Sequence, residues 1–193
     1  MNLILLSPDD IEDGRLARVR DPRRLAHLHE VHRASPGDLL TLGIEGGKIG
    51  RGELLALGDD EALFNVAGLD QAPPPALPVH LVLALPRPRM LARTLEHVTA
   101  LGVKHITLLN TRRVEKSYWQ SPELGEEKIH RHLVLGLEQA RDTRLPEVVL
   151  AKGFPLSSRS GSRACWPSAA AWWLTPACRA TARATSTSPC CCW

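Results

Sequence analysis

From Val79 to Ala151 the sequence alternates between two kinds of apolar pattern, and this alternation restricts the fold more than any other feature. "VHLVLALP" is a near-continuous apolar run. "MLARTLEHVTALG" then carries Leu91, Leu95, Val98 and Leu101 at helical spacing and stops at Gly102. "VKHITLLN" is a second apolar run, and "EEKIHRHLVLGLEQARDTR" aligns Ile129, Leu133, Leu137 and Ala140. "LPEVVLA" opens a third strand. Continuous apolar strands predict a sheet covered on both faces. Strand–helix–strand–helix–strand predicts a parallel α/β sheet. Ligands of such sheets bind beyond the carboxyl ends of the strands, at topological switch points. The residues placed there are Arg87 and Arg89 in "LPRPR", Arg112, Arg113 and Lys116 in "NTRRVEKS", and the stretch around "EQARDTR".

The preceding residues follow a different rule. "NLILLS" reads as a short strand, and "DPRRLAHLHEVHR" as a helix with Leu25, Leu28 and Val31 on one stripe, stopped by the turn "SPGD". "LLTLGIEGGKIGRGELLALGDDEALFNVAGL" breaks at Gly-Gly and Gly-Asp-Asp into three short strands. So many short strands in so few residues predict a small β-barrel. Residues 1–70 are therefore expected to form the barrel, residues 71–78 a stiff proline-rich linker, and residues 79–153 an incomplete parallel α/β domain. "MNLILLSPDD" has only a four-residue apolar run before its acids, so no signal peptide is expected. "VHLVLALP" is too short to span a bilayer, so the expected setting is cytoplasmic with no membrane partner.

The remainder, residues 154–193, differs in composition. No Asp or Glu follows Glu147, although all 21 precede or include it. Even spacing would leave such a gap roughly once in a thousand chains. All five cysteines and four of the five tryptophans lie beyond Ala151. From Lys152 onward there are five basic residues and no acid, so the first 151 residues are close to −2 while the whole chain is +3. The basic character thus belongs to the tail.

No functional reading of "PCCCW" survives its spacing. Cys190, Cys191 and Cys192 are adjacent, whereas zinc sites separate paired thiolates by two to four residues. A prenylation box needs one cysteine followed by two aliphatics, and a cytoplasmic setting argues against a disulfide framework. The genetic code gives a better account. "PCCCW" must be CCN-TGY-TGY-TGY-TGG, which one nucleotide away reads [Leu/Val/Met]-Leu-Leu-Leu followed by a codon starting with G. "AWWLTPAC" moved the same way admits Leu-Val-Ala-His-Pro-Gly-Leu, a strand ending in a turn. The native frame is therefore expected to be lost shortly after Gly153, leaving a tail without a packed core.

"EHVTALGVKHI", "TRR" and "LEQARDTRLPEV" together resemble the small-subunit (16S) ribosomal RNA uracil-N3 methyltransferases of the RsmE type. So do "HLHEVHRASPGD" and "LVLALPRPRM". The resemblance covers residues 1–153 and rests on the order of several motifs. It implies a PUA-like RNA-binding barrel joined to a SPOUT domain, whose trefoil knot binds S-adenosylmethionine. It further implies a homodimer, methylation of a uracil at N3, and small-subunit ribosomal RNA as partner. The family continues with a Leu-Val-His-Pro-like strand and an apolar strand entering a Gly-Pro-Glu-Gly-Gly loop. The shifted strings fit both and stop where that loop should begin. The expectation is that this chain carries no cofactor-binding residues, does not dimerise through the knot, and is inactive.

By the same resemblance, Arg33 matches the last position of a His-Leu-x-x-Val-x-Arg pattern and implies a phosphate contact. Arg24, Arg87, Arg89, Arg112, Arg113 and Arg144 are further candidate RNA contacts. Glu138 and Gln139 match a Glu-Gln pair beside the active site, and Asp142 stands where many relatives have arginine. No residue is assigned as catalytic base. His27, His29 and His32 lack a carboxylate or cysteine partner at ligand spacing, so no metal is expected. Two other readings stay open: a non-enzymatic RNA-binding fragment, and a non-functional product of a frame-shifted gene.

Overall fold

The computed structural model describes residues 2–152. The frame change after Gly153 and the expected tail lie outside the described residues. Among the described residues, ten strands form two sheets. β1 (Ile4–Leu6), β2 (Ile11–Glu12), β3 (Leu16–Val19), β4 (Leu39–Ile44), β5 (Ile49–Leu57), β6 (Ala62–Asn65) and β7 (Leu69–Gln71) make one. Its order is β1-β4-β5-β6-β3-β2, with β7 added on β5. β4, β5 and β6 are the three strands read from the sequence; β2 and β7, two and three residues long, leave no alternating signature, and β3 is an addition to that reading. Their turns fall at the expected breaks: Gly46 takes φ +69, and Gly58 N–H donates to the Glu61 carbonyl at 2.9 Å. Phe64, Leu42, Leu54, Val19 and Leu6 fill the interior of this barrel-like sheet.

Helix α1 (Pro22–His27) starts on Asp21, whose carboxylate accepts from the Arg23 and Arg24 amides. It continues as a single π-helical turn, Leu28–His32. The wider turn changes the angular step between residues, so the expected apolar stripe breaks. Leu25 and Leu28 enter the barrel core, but Val31 is 65% exposed. Arg33 then adopts φ +47 and ends the helix, before the "SPGD" turn is reached.

The second sheet holds β8 (Leu77–Ala84), β9 (Val103–Leu109) and β10 (Glu147–Ala151), all parallel, in the order β10-β9-β8. β8 begins at Leu77, two residues before the start read from the sequence. α2 (Pro88–Ala100) and α3 (Glu126–Ala140) make the two crossovers, and each step along the sheet runs the same way. Both helices pack against each other and on the same strand side chains, so they lie on one face, as the usual right-handed connection would place them. Leu81, Leu83, Ile106, Leu108 and Val148 meet Leu91, Leu95, Ile129 and Leu133 there. Coverage of both faces was expected. Among the described residues the other face is open, and β8 is half-buried along most of its length. Leu101 was expected inside, but α2 ends at Ala100 and Gly102 (φ +89) reverses the chain, leaving Leu101 69% exposed.

Barrel and parallel sheet are docked through a third apolar cluster. β1 is apolar at every position because both its faces are buried. Ile4 and Leu6 point into the barrel, while Leu3 and Leu5 pack with Ile49 against Val134 and Leu137 of α3. Beside them the loop after α3 inserts Thr143 into the β4–β5 hairpin. Its hydroxyl donates to the Gly47 carbonyl at 2.6 Å, and its carbonyl accepts from the Gly46 amide at 2.7 Å. Gly43 makes room: a Cβ there would lie 2.7 Å from Thr143 Cγ2.

Candidate nucleic-acid interface

The register Ala84↔Leu109↔Ala151 places the carboxyl ends of β8, β9 and β10 side by side. The segment after β8 holds Arg87 and Arg89, both exposed, with Arg87 leading into α2. The turn after β9 is closed by the Val114 amide donating to the Thr111 carbonyl at 3.0 Å. This turn leaves Arg112 and Arg113 at its tip and tucks Val114 against the core. Four guanidiniums from two separate motifs thus share one edge. None of the four has a carboxylate partner among the described residues. Asn110 ties β9 to β10, its side chain donating to the Lys152 carbonyl at 3.2 Å.

The remaining sequence candidates lie elsewhere. Arg144 is exposed in the loop leading into β10, at the amino end of the sheet and thus the opposite pole. Arg24 is turned inward, its guanidinium between Asp10 (3.4 Å) and Glu138 (3.7 Å). Glu138 is 1% exposed and receives two hydrogen bonds from Arg23, at 2.9 and 3.1 Å. Gln139 is exposed, and its carbonyl accepts from the Asn2 side chain at 2.9 Å. Glu138 and Gln139 therefore sit where α3 meets the barrel. Arg33 is exposed on the barrel as the last residue of its helical turn.

Sequence reasoning counted Arg23 among the arginines able to hold phosphates and missed its pairing with Glu138. It also missed Lys104, buried at 6% exposure, whose ammonium lies 2.6 Å from Asp142 Oδ2 and 2.6 Å from the Arg144 carbonyl. Asp142 Oδ1 accepts from the Thr143 and Arg144 amides. The acid that interrupts the family's arginine pattern is thus the clamp that shapes the α3–β10 loop.

His27 packs edge-on against His32 with ring centroids 4.8 Å apart, and burial holds its imidazole below the usual histidine range. No cluster of three or more His, Cys, Asp or Glu side chains among the described residues could hold a metal ion. No helix among them is long and apolar enough to cross a membrane.

An S-adenosylmethionine site at the strand ends would need a topological switch point. A switch point needs the strand order to reverse, and β8, β9 and β10 advance in one direction only. The switch point that would seat that cofactor is therefore not among the described residues.

A small, mostly antiparallel barrel-like sheet is thus docked on a parallel α/β unit, with arginines at the strand ends that have no carboxylate partner among the described residues. Residues 73–158 match the RNA methyltransferase domain family. Over 152 residues the chain is 30% identical to the ribosomal RNA small subunit methyltransferase E of Treponema pallidum, covering 79% of this chain and 57% of that protein. The chain thus spans little more than half the length of this curated relative. The fold is shared with the crystal structure of a predicted RNA methyltransferase of Thermotoga maritima (TM-score 0.61, 17% identity, 81% of this chain and 68% of that one). It is shared too with the Neisseria gonorrhoeae small-subunit methyltransferase E, solved with S-adenosyl methionine (TM-score 0.59, 21% identity, 78% and 60%). The resemblance to RsmE-type methyltransferases read from the sequence therefore holds across barrel and parallel sheet alike.

Proposed function

We propose that residues 2–152 are the RNA-holding part of an S-adenosylmethionine-dependent methyltransferase acting on uridine N3 of small-subunit ribosomal RNA. The observation that carries the reading is the 152-residue match to a small-subunit ribosomal RNA methyltransferase, continuous through both units and their docked interface. What this chain's residues contribute is positioning. Arg87, Arg89, Arg112 and Arg113 hold phosphates at the strand ends, and the barrel, fixed to α3 by Leu3, Leu5 and Glu138, sets a second point of contact at a constant distance. The methyl donor would supply the electrophilic carbon, and the strand-order reversal that would seat it is not among the described residues. RNA binding without methyl transfer is therefore the activity proposed for this chain, and dimerisation through the knot is not among its functions.

Filter binding of deproteinised small-subunit ribosomal RNA over a salt series tests the reading. With few cationic contacts on a body close to −2, affinity is expected to be weak and to fall steeply with salt. R112E/R113E should weaken it more than R15E. Arg18 is unsuitable as a control, because it bridges Glu12 and Glu61 at 2.8 Å each and reversal would disturb the barrel. Calorimetry with S-adenosylmethionine supplies the second arm. RNA binding indifferent to R112E/R113E, or stoichiometric micromolar cofactor binding, would overturn the reading.

A further inference from the structure

A groove of about 750 Å³ runs beside the first turns of α2, facing the turn that contains Ser121 and Glu123. Its α2 wall carries Pro88, Arg89, Met90 and Arg93. Arg89 and Arg93 are four residues apart and so share a helix face. Neither has a carboxylate partner among the described residues. Two like charges at this spacing destabilise a helix, and an anion in the groove would offset that cost. Glu123, the one acid in the lining, is already engaged: Lys128 donates to it at 2.7 Å and His132 lies 3.3 Å away. These two partners hold its carboxyl below the ordinary range. Ser121 Oγ accepts from the Glu123 amide, which leaves its hydroxyl proton to donate outward. Between the arginines Met90 is 51% exposed, an apolar surface beside cationic groups.

Cations beside a bare thioether and a proline ring suit a ligand with a flat apolar face and a phosphate. An acidic peptide would use the arginines and leave Met90 idle. We propose that this groove holds a splayed nucleotide of single-stranded RNA, its backbone phosphates against Arg89 and Arg93 and its base against Met90 and Pro88. The proposal rests on the RNA-binding reading above and adds Arg93, Met90 and Ser121 to it. The groove adjoins the strand-end arginines through Arg87, so one strand of RNA can follow both.

The test is fluorescence anisotropy of labelled octauridylate with the full 193-residue chain over a salt series. R89A/R93A is expected to weaken binding at least tenfold and to reduce the log–log salt slope by about 1.4, two single-strand phosphates' worth. R89K/R93K should restore the slope, which a folding defect would not allow. M90A should cost about threefold in affinity and leave the slope unchanged. Unaltered binding by R89A/R93A would overturn the groove while leaving RNA binding at Arg112 and Arg113 intact. Absence of binding by the unaltered chain would overturn both. Displacement of the RNA by oligoglutamate, with the same dependence on Arg89 and Arg93 and no effect of M90A, would reassign the groove to an acidic protein surface.

Discussion

Arg23 of the barrel and Glu138 of α3, 115 positions apart, face each other through two hydrogen bonds of 2.9 and 3.1 Å. A second arginine, Arg24, lies 3.7 Å from Glu138 as an ion pair, and Glu138 is sealed from solvent. Removing Glu138 takes the carboxylate from Arg23 and leaves the buried Arg24 only Asp10 as counter-charge. Glu138→Ala is expected to destabilise the protein by about 3 kcal/mol, and Glu138→Gln by less because its carbonyl still accepts from Arg23. Chemical denaturation of the three proteins checks this; equal midpoints would remove the pair from the interface's energetics.

Lys104 and Asp142 form the other buried pair, and it can be dissected by a double-mutant cycle. Lys104→Met and Asp142→Leu should each cost about 3–5 kcal/mol. The double variant should be more stable than the sum of the single losses predicts, because no charge is then stranded. Additive losses would mean that the 2.6 Å contact contributes no coupling.

Thr143 tests the docking itself. Thr143→Val removes the donor to the Gly47 carbonyl but keeps the shape, at an expected cost of about 1 kcal/mol. Gly43→Ala places a methyl into Thr143 and should cost about 1–3 kcal/mol as overpacking. Combining Gly43→Ala with Thr143→Ser, which deletes the opposing Cγ2, should recover part of that loss. Hydrogen exchange at the Gly46 amide, which donates to the Thr143 carbonyl, should speed up in Gly43→Ala.

Stability should also fall as pH drops through the histidine range. Burial lowers the folded pKa of His27 below its unfolded value of 6.5. Below that value the unfolded chain takes up a proton that the folded chain refuses, so stability is lost from about pH 6.5 downward until the folded pKa is passed. Glu12 and Glu61, held low chiefly by hydrogen bonds from Arg18, act in a separate window: their contribution is present above 4.5 and is lost as pH falls below it. His27→Gln should flatten the upper decline and leave the lower one. Thermal melts between pH 8 and pH 4 distinguish the two.

What the sequence determined by itself is local and periodic. The runs from Val79 to Ala151 fixed a parallel strand–helix alternation, since a strand buried on the helix side and a helix with Leu91 and Leu95 on one stripe have few other ways to hide their apolar surface. Gly46 and Gly102 marked turns because few other residues take those backbone angles at low cost. The four strand-end arginines were legible because strand ends follow from strand limits. Tertiary structure decided the rest. "LILL" reads as one apolar run, and only the fold shows that Leu3 and Leu5 belong to a different core from Ile4 and Leu6. Arg24, Glu138 and Asp142 resemble surface charges in sequence. They are buried because partners far along the chain satisfy them, and no local pattern records a partner 115 or 38 residues away. The division of the arginines between two poles of the sheet is likewise a product of topology. Arg144 precedes a strand, Arg112 and Arg113 follow one, and parallel pairing sends those ends in opposite directions.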